Sequence, residues 1–141
     1  MSATISDVFD ADVFAAVERI WNATGVGNPA RGDTFESVQA TLAHGGRLYT
    51  VKAQGAIVGV CWITDDGRRL YLHHMAVAPE HQGRGYARLL MEKALSFARE
   101  RRLQMKLEVH RHNERAIHLY QSFGFTRLGD YEIFIRRDPS S

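Results

Sequence analysis

The chain has a single cysteine, Cys61, so it cannot close an internal disulfide, and this suits a reducing compartment. Cys61 sits inside an apolar, strand-like run and reads as a packed core thiol rather than a reactive one. Low-complexity tracts and internal repeats are lacking, and only residues 138–141 read as a loose tail. The longest apolar run, residues 57–63, is far too short to cross a bilayer, so no membrane partner is expected. Residues 1–7 lack the basic and apolar regions of a secretory leader, which makes a cytoplasmic location the expectation. Charge of one sign is also lacking. A formal net charge of +2 is too small to argue for a nucleic-acid surface, although the basic clusters at Arg84 and Arg88 and at Arg99, Arg101 and Arg102 could meet an anionic ligand.

What is present is an ordinary globular mixture, with 45% hydrophobic and 24% charged residues in 141 positions, the size of one domain spanning residues 1–141. Residues 3–9 alternate weakly, as an edge strand does. Val13, Val17 and Ile20 recur at helical spacing, and Thr24-Gly25-Val26-Gly27-Asn28-Pro29 then breaks the pattern. Asp33-Thr34-Phe35-Glu36 has the form of a capping box and opens a second helix through Leu42. Residues 47–53 and 56–64 are β-rich and meet at Gln54-Gly55, a predicted hairpin, and residues 70–77 form the next meander strand. Ala87, Leu90, Met91, Ala94, Leu95 and Ala98 then mark an amphipathic helix over residues 85–101. A strand over 105–109, a helix capped by Asn113, and a closing hairpin of residues 125–128 and 131–136 complete the pattern. The expected architecture is mixed α/β: a central mixed sheet of about seven strands, flanked by about four helices.

The sharpest local signal is Ala78-Pro79-Glu80-His81-Gln82-Gly83-Arg84-Gly85-Tyr86-Ala87, between a strand and the long helix. Its glycines permit a tight turn that presents backbone N–H groups inward, and the helix start adds unpaired donors and partial positive charge. Such a site suits a pyrophosphate. A solvated glycine-rich turn is the plain alternative. A dinucleotide-binding loop is another, since Gly83 and Gly85 fit its first two glycines, but Arg88 stands where the third must pack closely.

Downstream, Leu107-Glu108-Val109, Asn113, Ala116, Leu119-Tyr120 and Phe123-Gly124-Phe125 follow at fixed intervals. Together with Gln82-x-x-Gly85-x-Ala87, they resemble the GNAT superfamily of acetyl-coenzyme A-dependent N-acetyltransferases. Residues 107–125 are most similar to the ribosomal-protein alanine N-acetyltransferase branch, whose pattern is roughly LEVRxSN…A…LY…GF. His110 replaces the arginine of that pattern and His112 its serine.

The resemblance implies an acyltransferase that moves an acetyl group from acetyl-coenzyme A to a primary amine by direct attack. Gln82, Gly83, Arg84, Gly85, Tyr86 and Ala87 would hold the pyrophosphate, and Asn113 would cap its helix and touch the pantetheine arm. A strand bulge at Met75, Ala76 and Val77 would supply the backbone N–H groups that polarise the thioester carbonyl. Tyr120 would protonate the departing thiolate. Either Glu108 or His73 would take the amine's proton; Glu108 is preferred on the surrounding pattern, whereas histidine needs the smaller pKa adjustment. Tyr71 would share His73's strand face, and His74 should point to the opposite one. Trp21, Asn28, Arg31 and the hairpin near Tyr131 would border the acceptor. Among seven histidines, His110-x-His112 has no cysteine partner, so no metal is expected. Rival readings are a non-catalytic coenzyme A sensor and an acetylator of aminoacyl-tRNA, the latter wanting a broader basic face. A homodimer through sheet edges or exposed helices is compatible with so small a domain.

Overall fold

A computed structural model describes residues 2–140. The chain divides into two compact units, the first ending at Glu108 and the second beginning at Val109. The first unit holds one sheet of five strands in sequence order: β1 (Ala3–Ser6), β2 (Arg47–Ala53), β3 (Ala56–Asp65), β4 (Arg69–Val77) and β5 (Gln104–Leu107). The first four are antiparallel neighbours, and β4 pairs with β5 in parallel. A parallel pair needs a crossover, and α3 (Tyr86–Arg101) supplies it. Gln54 and Gly55 both adopt positive φ, 54° and 81°, the backbone that a two-residue turn needs to match the twist of β2 and β3.

Helix α1 (Ala11–Thr24) begins where the Asp10 carboxylate accepts the Val13 N–H at 2.8 Å and ends at Gly25 with φ 74°. Helix α2 (Phe35–Ala43) is capped by Thr34, whose Oγ1 accepts the Ser37 N–H at 3.2 Å. The expected capping box is thus replaced by a single Thr34 cap: Asp33 lies outside the helix, and its carboxylate is used elsewhere. Phe14, Val17, Ile20 and Trp21 of α1 and Val38 of α2 pack on Leu48, Val60, Trp62 and Ala76 to form one side of the core. On the other side the fully buried Leu90, Met91 and Ala94 of α3 close over the sheet, and Phe97 meets Tyr49 edge-on. Cys61 is fully buried there, and desolvation pushes its thiol up to about 12, so it stays a packed, protonated group.

The second unit contains α4 (Glu114–Ser122). The expected closing hairpin is not formed. Residues 125–136 carry no strand, and Leu128, Tyr131, Ile133, Phe134 and Ile135 are exposed. The sheet accordingly has five strands rather than seven. Alternation makes a segment competent to pair, but a strand exists only where a partner ladder takes its N–H and C=O groups. Among the described residues, no helix is long and apolar enough to cross a membrane.

Candidate active site

The site develops where β4 parts from β5. Their ladder runs from Arg69–Gln104 to Leu72–Leu107, yet β4 continues to Val77. From His73 onward, that edge of β4 is left without a partner strand among the described residues. His73 and Glu108 each follow directly on the last pair, so both candidate bases stand at the level where the strands separate. Glu108 is exposed.

On its other edge β4 carries a bulge. Val60 pairs with Ala76 and Trp62 with His73, so His74 and Met75 together oppose Cys61. His74 has φ 49°, a left-handed conformation that costs a non-glycine residue about 1 kcal/mol or more. The extra residue cancels the strand alternation. The rings of His73 and His74 lie 6.2 Å apart, and both contact Trp62, at 5.2 and 6.0 Å. The expectation that His74 points away from His73 is thus overturned, because a bulge resets which face the next side chain takes.

His73 Nε2 lies 2.8 Å from Thr64 Oγ1, and its ring stacks on Tyr71 at 6.2 Å. Burial is the main cause holding the His73 pKa below the ordinary imidazole value; neighbouring His74 adds to the effect and Asp33 opposes it. His73 is therefore a neutral imidazole at pH 7. His74 Nε2 lies 3.0 Å from Asp33 Oδ1, and its backbone carbonyl accepts the Trp21 indole N–H at 3.1 Å. Neither Asp33 nor His74 stood out as functional in the sequence, because Asp33 looks like a helix cap and His74 like the outward partner of an alternating pair.

After Val77, a 3-10 turn at Pro79–His81 leads into the glycine loop, where Gly83 and Gly85 have φ of 79° and 87°. Gln82 turns its side-chain amide back to donate to the Val77 carbonyl at 3.0 Å, bracing the loop. Gly85 is the N-cap of α3, with no side-chain cap bond and no acidic residue in the first turn. Neither a cap side chain nor a first-turn carboxylate therefore competes with an incoming anion at the positive end of this four-turn helix. Arg84 is exposed beside them, and Tyr86 and Ala87 are half-buried.

Met75, Ala76 and Val77 occupy the bulge and the strand that follows it. Trp21 is core, only 2% exposed. Asn28 caps the short turn Pro29–Arg31 through its side chain, and Arg31 is exposed. In the second unit, Asn113 Oδ1 accepts the Ala116 N–H at 3.2 Å, the expected N-cap. Tyr120 is half-buried on α4, its ring 5.9 Å from Phe125. The rings of His110 and His112 lie 5.1 Å apart, and no group of three or more metal-ligating side chains gathers among the described residues.

Residues 14–125 match the acetyltransferase (GNAT) family. The chain belongs to that family. The match covers the bulge, the glycine loop and α4, and it crosses the boundary at Glu108. Among curated relatives, the L-amino acid N-acyltransferase MnaT of Escherichia coli is 30% identical over 129 residues, 87% of this chain and 73% of that protein. The N-alpha-acetyltransferase RimI of Mycobacterium tuberculosis is 38% identical over 82 residues, 55% of this chain and 51% of the relative. The ribosomal-protein-S18-alanine N-acetyltransferase structure from Escherichia coli superposes with a TM-score of 0.76 at 21% identity, covering 89% of this chain and 78% of the other. That likeness is one of fold. The chain spans between 38% and 50% of three other curated relatives it matches.

Proposed function

We propose that this GNAT chain transfers the acetyl group of acetyl-coenzyme A to a primary amine, on a small molecule or a peptide N-terminus. The observation that carries the reading is the open edge of β4 beyond Leu72, bulged at His74 and Met75 and followed at once by the glycine loop and the uncapped start of α3. A coenzyme that has a pyrophosphate at one end and amide groups along its arm fits this arrangement. The loop and helix start suit the phosphates, and the strand edge suits the amides.

In the reaction, the amine nitrogen attacks the thioester carbonyl carbon, the C–S bond breaks, and the amine's proton leaves to a base. The thiolate takes a proton and departs as free coenzyme A. Backbone N–H groups of Met75, Ala76 and Val77 would polarise the carbonyl oxygen. Glu108 is the preferred base and His73 the alternative, since both stand where β4 and β5 part. Tyr120 would be the acid, and Asn113 a contact to the pantetheine arm. No step requires a metal.

The test is an acceptor screen that follows release of coenzyme A thiol. Turnover with at least one amine class is the expected result, and binding of acetyl-coenzyme A without turnover of any amine would make the chain a coenzyme sensor instead. Gly85→Val should weaken coenzyme affinity tenfold or more, about 1.4 kcal/mol, by calorimetry. Space is not the obstacle at Gly85, because a Cβ there would meet nothing within 4 Å; the φ of 87° is. The melting temperature must accordingly be measured beside the affinity. An unchanged affinity in the folded variant would remove the loop from the coenzyme site. Arg31→Ala should raise the acceptor KM well above any change in coenzyme KM, because the exposed Arg31 belongs to the loop expected to border the acceptor; equal changes would exclude that loop from selection.

A further inference from the structure

A left-handed histidine in the middle of a strand persists only when its surroundings over-determine it. At His74 they do so from two directions. Its carbonyl is held by the Trp21 indole at 3.1 Å, with the two rings edge-on at 5.2 Å. Its Nε2 is held by Asp33 Oδ1 at 3.0 Å. The other Asp33 oxygen, Oδ2, accepts the Asn28 N–H at 2.7 Å, while the Asn28 carbonyl accepts the N–H groups of Arg31 and Asp33. One carboxylate thus closes the turn over residues 28–33 and ties it to the bulge. The pair is only partly exposed, with side-chain accessibilities of 27% for His74 and 12% for Asp33.

We propose that Asp33 and His74 are a positioning pair that locks the acceptor-side loop to the carbonyl-polarising bulge, so that amine and thioester are held in one register. The inference rests on the acetyl-transfer reading. Asp33 acts through His74 and touches no reacting atom. The pair governs how well the bulge N–H groups and the bound amine are aligned, and misalignment of about 1 Å is enough to cost a large factor in rate.

The experiment combines kinetics with amide hydrogen exchange on the intact chain. Asp33→Asn keeps the shape of the side chain but leaves one of its two acceptors. It should lower kcat about tenfold with coenzyme KM nearly unchanged. Exchange should rise together at Asn28, Arg31 and Asp33 in the loop and at Met75 and Ala76 in the bulge. His74→Gly relieves the positive φ but removes the ring, its contacts with Trp21 and Trp62 and its pairing with Asp33. The melting temperature is therefore measured beside the rate, and kcat should fall by at least as much. Because Asp33 works through His74, the double variant should be no slower than His74→Gly alone. Losses that multiply in the double variant, full kcat in His74→Gly at saturating acceptor, or faster exchange confined to the loop would each overturn the proposal. If wild type releases no coenzyme A thiol with any amine, the acetyl-transfer reading fails, and the linked or unlinked exchange of loop and bulge still decides the lock.

Discussion

Tyr120→Phe should lower kcat about a hundredfold, the ordinary scale for loss of a general acid, while leaving coenzyme affinity nearly unchanged. The substitution removes one hydroxyl and keeps the ring, so the edge contact with Phe125 survives. The backbone carbonyl of Tyr120 accepts the N–H groups of Phe123 and Phe125, both at 3.1 Å, and these bonds close the end of α4 whatever the side chain is. The melting temperature of the variant is measured beside its rate, so that a loss of folding is told apart from a loss of chemistry. The measurement is a pre-steady-state comparison of acetyl transfer in the two proteins. Full kcat with chemistry rate-limiting would leave Tyr120 as a packing residue.

Glu108→Gln should remove the acidic limb of the kcat/KM profile, leaving activity that rises only as the acceptor amine deprotonates. A lysine-type amine, with a pKa of about 10.4, is almost wholly charged at pH 7, so the loss at neutral pH should be of the general-base scale, roughly a hundredfold. Exposed and at the end of β5, Glu108 can be exchanged for its amide with little effect on packing. His73→Gln distinguishes the alternative. Burial lowers the His73 pKa, so a limb set by His73 would lie below the ordinary imidazole value of about 6.5, and the proton-accepting form would be complete above that pH. Activity governed by His73 would thus be flat from neutrality upward and would fall as pH drops through the lowered value. Acceptors of different pKa must be compared in wild type. A limb that follows the acceptor rather than the protein would exclude both residues as the titrating base.

The sequence by itself was enough for the parts of this protein that rest on neighbours along the chain. The 3.6-residue stripe from Ala87 to Ala98 became α3, Gln54-Gly55 became the tight turn, and Asn113 became the cap of α4. The glycines at 83 and 85 adopted the positive φ that their loop required. Each of these is set within one or two turns of chain, where spacing and φ preference act directly. The family resemblance was legible for the same reason, since its motifs lie on that loop and on the two elements after α3.

Tertiary structure decided whatever depended on a distant partner. Residues 131–136 are as rich in strand-forming side chains as β3, yet only β3 has neighbours to take its backbone groups. Asp33 has the local form of a helix cap, but it sits against His74, 41 residues away, and Thr34 takes the capping role. The bulge matters most. The family resemblance implied a bulge at Met75, Ala76 and Val77, but nothing in the residue types of Tyr71-Leu72-His73-His74-Met75 places the extra residue at His74. A bulge is a property of the pairing with β3, and Cys61 opposes two residues only once both strands are in place. That single register shift turns both histidines to the same side, where Trp21, 53 residues from His74, holds the bulge carbonyl through its indole. Local periodicity specifies which elements form, whereas the choice of partner groups across long loops specifies which side chains meet.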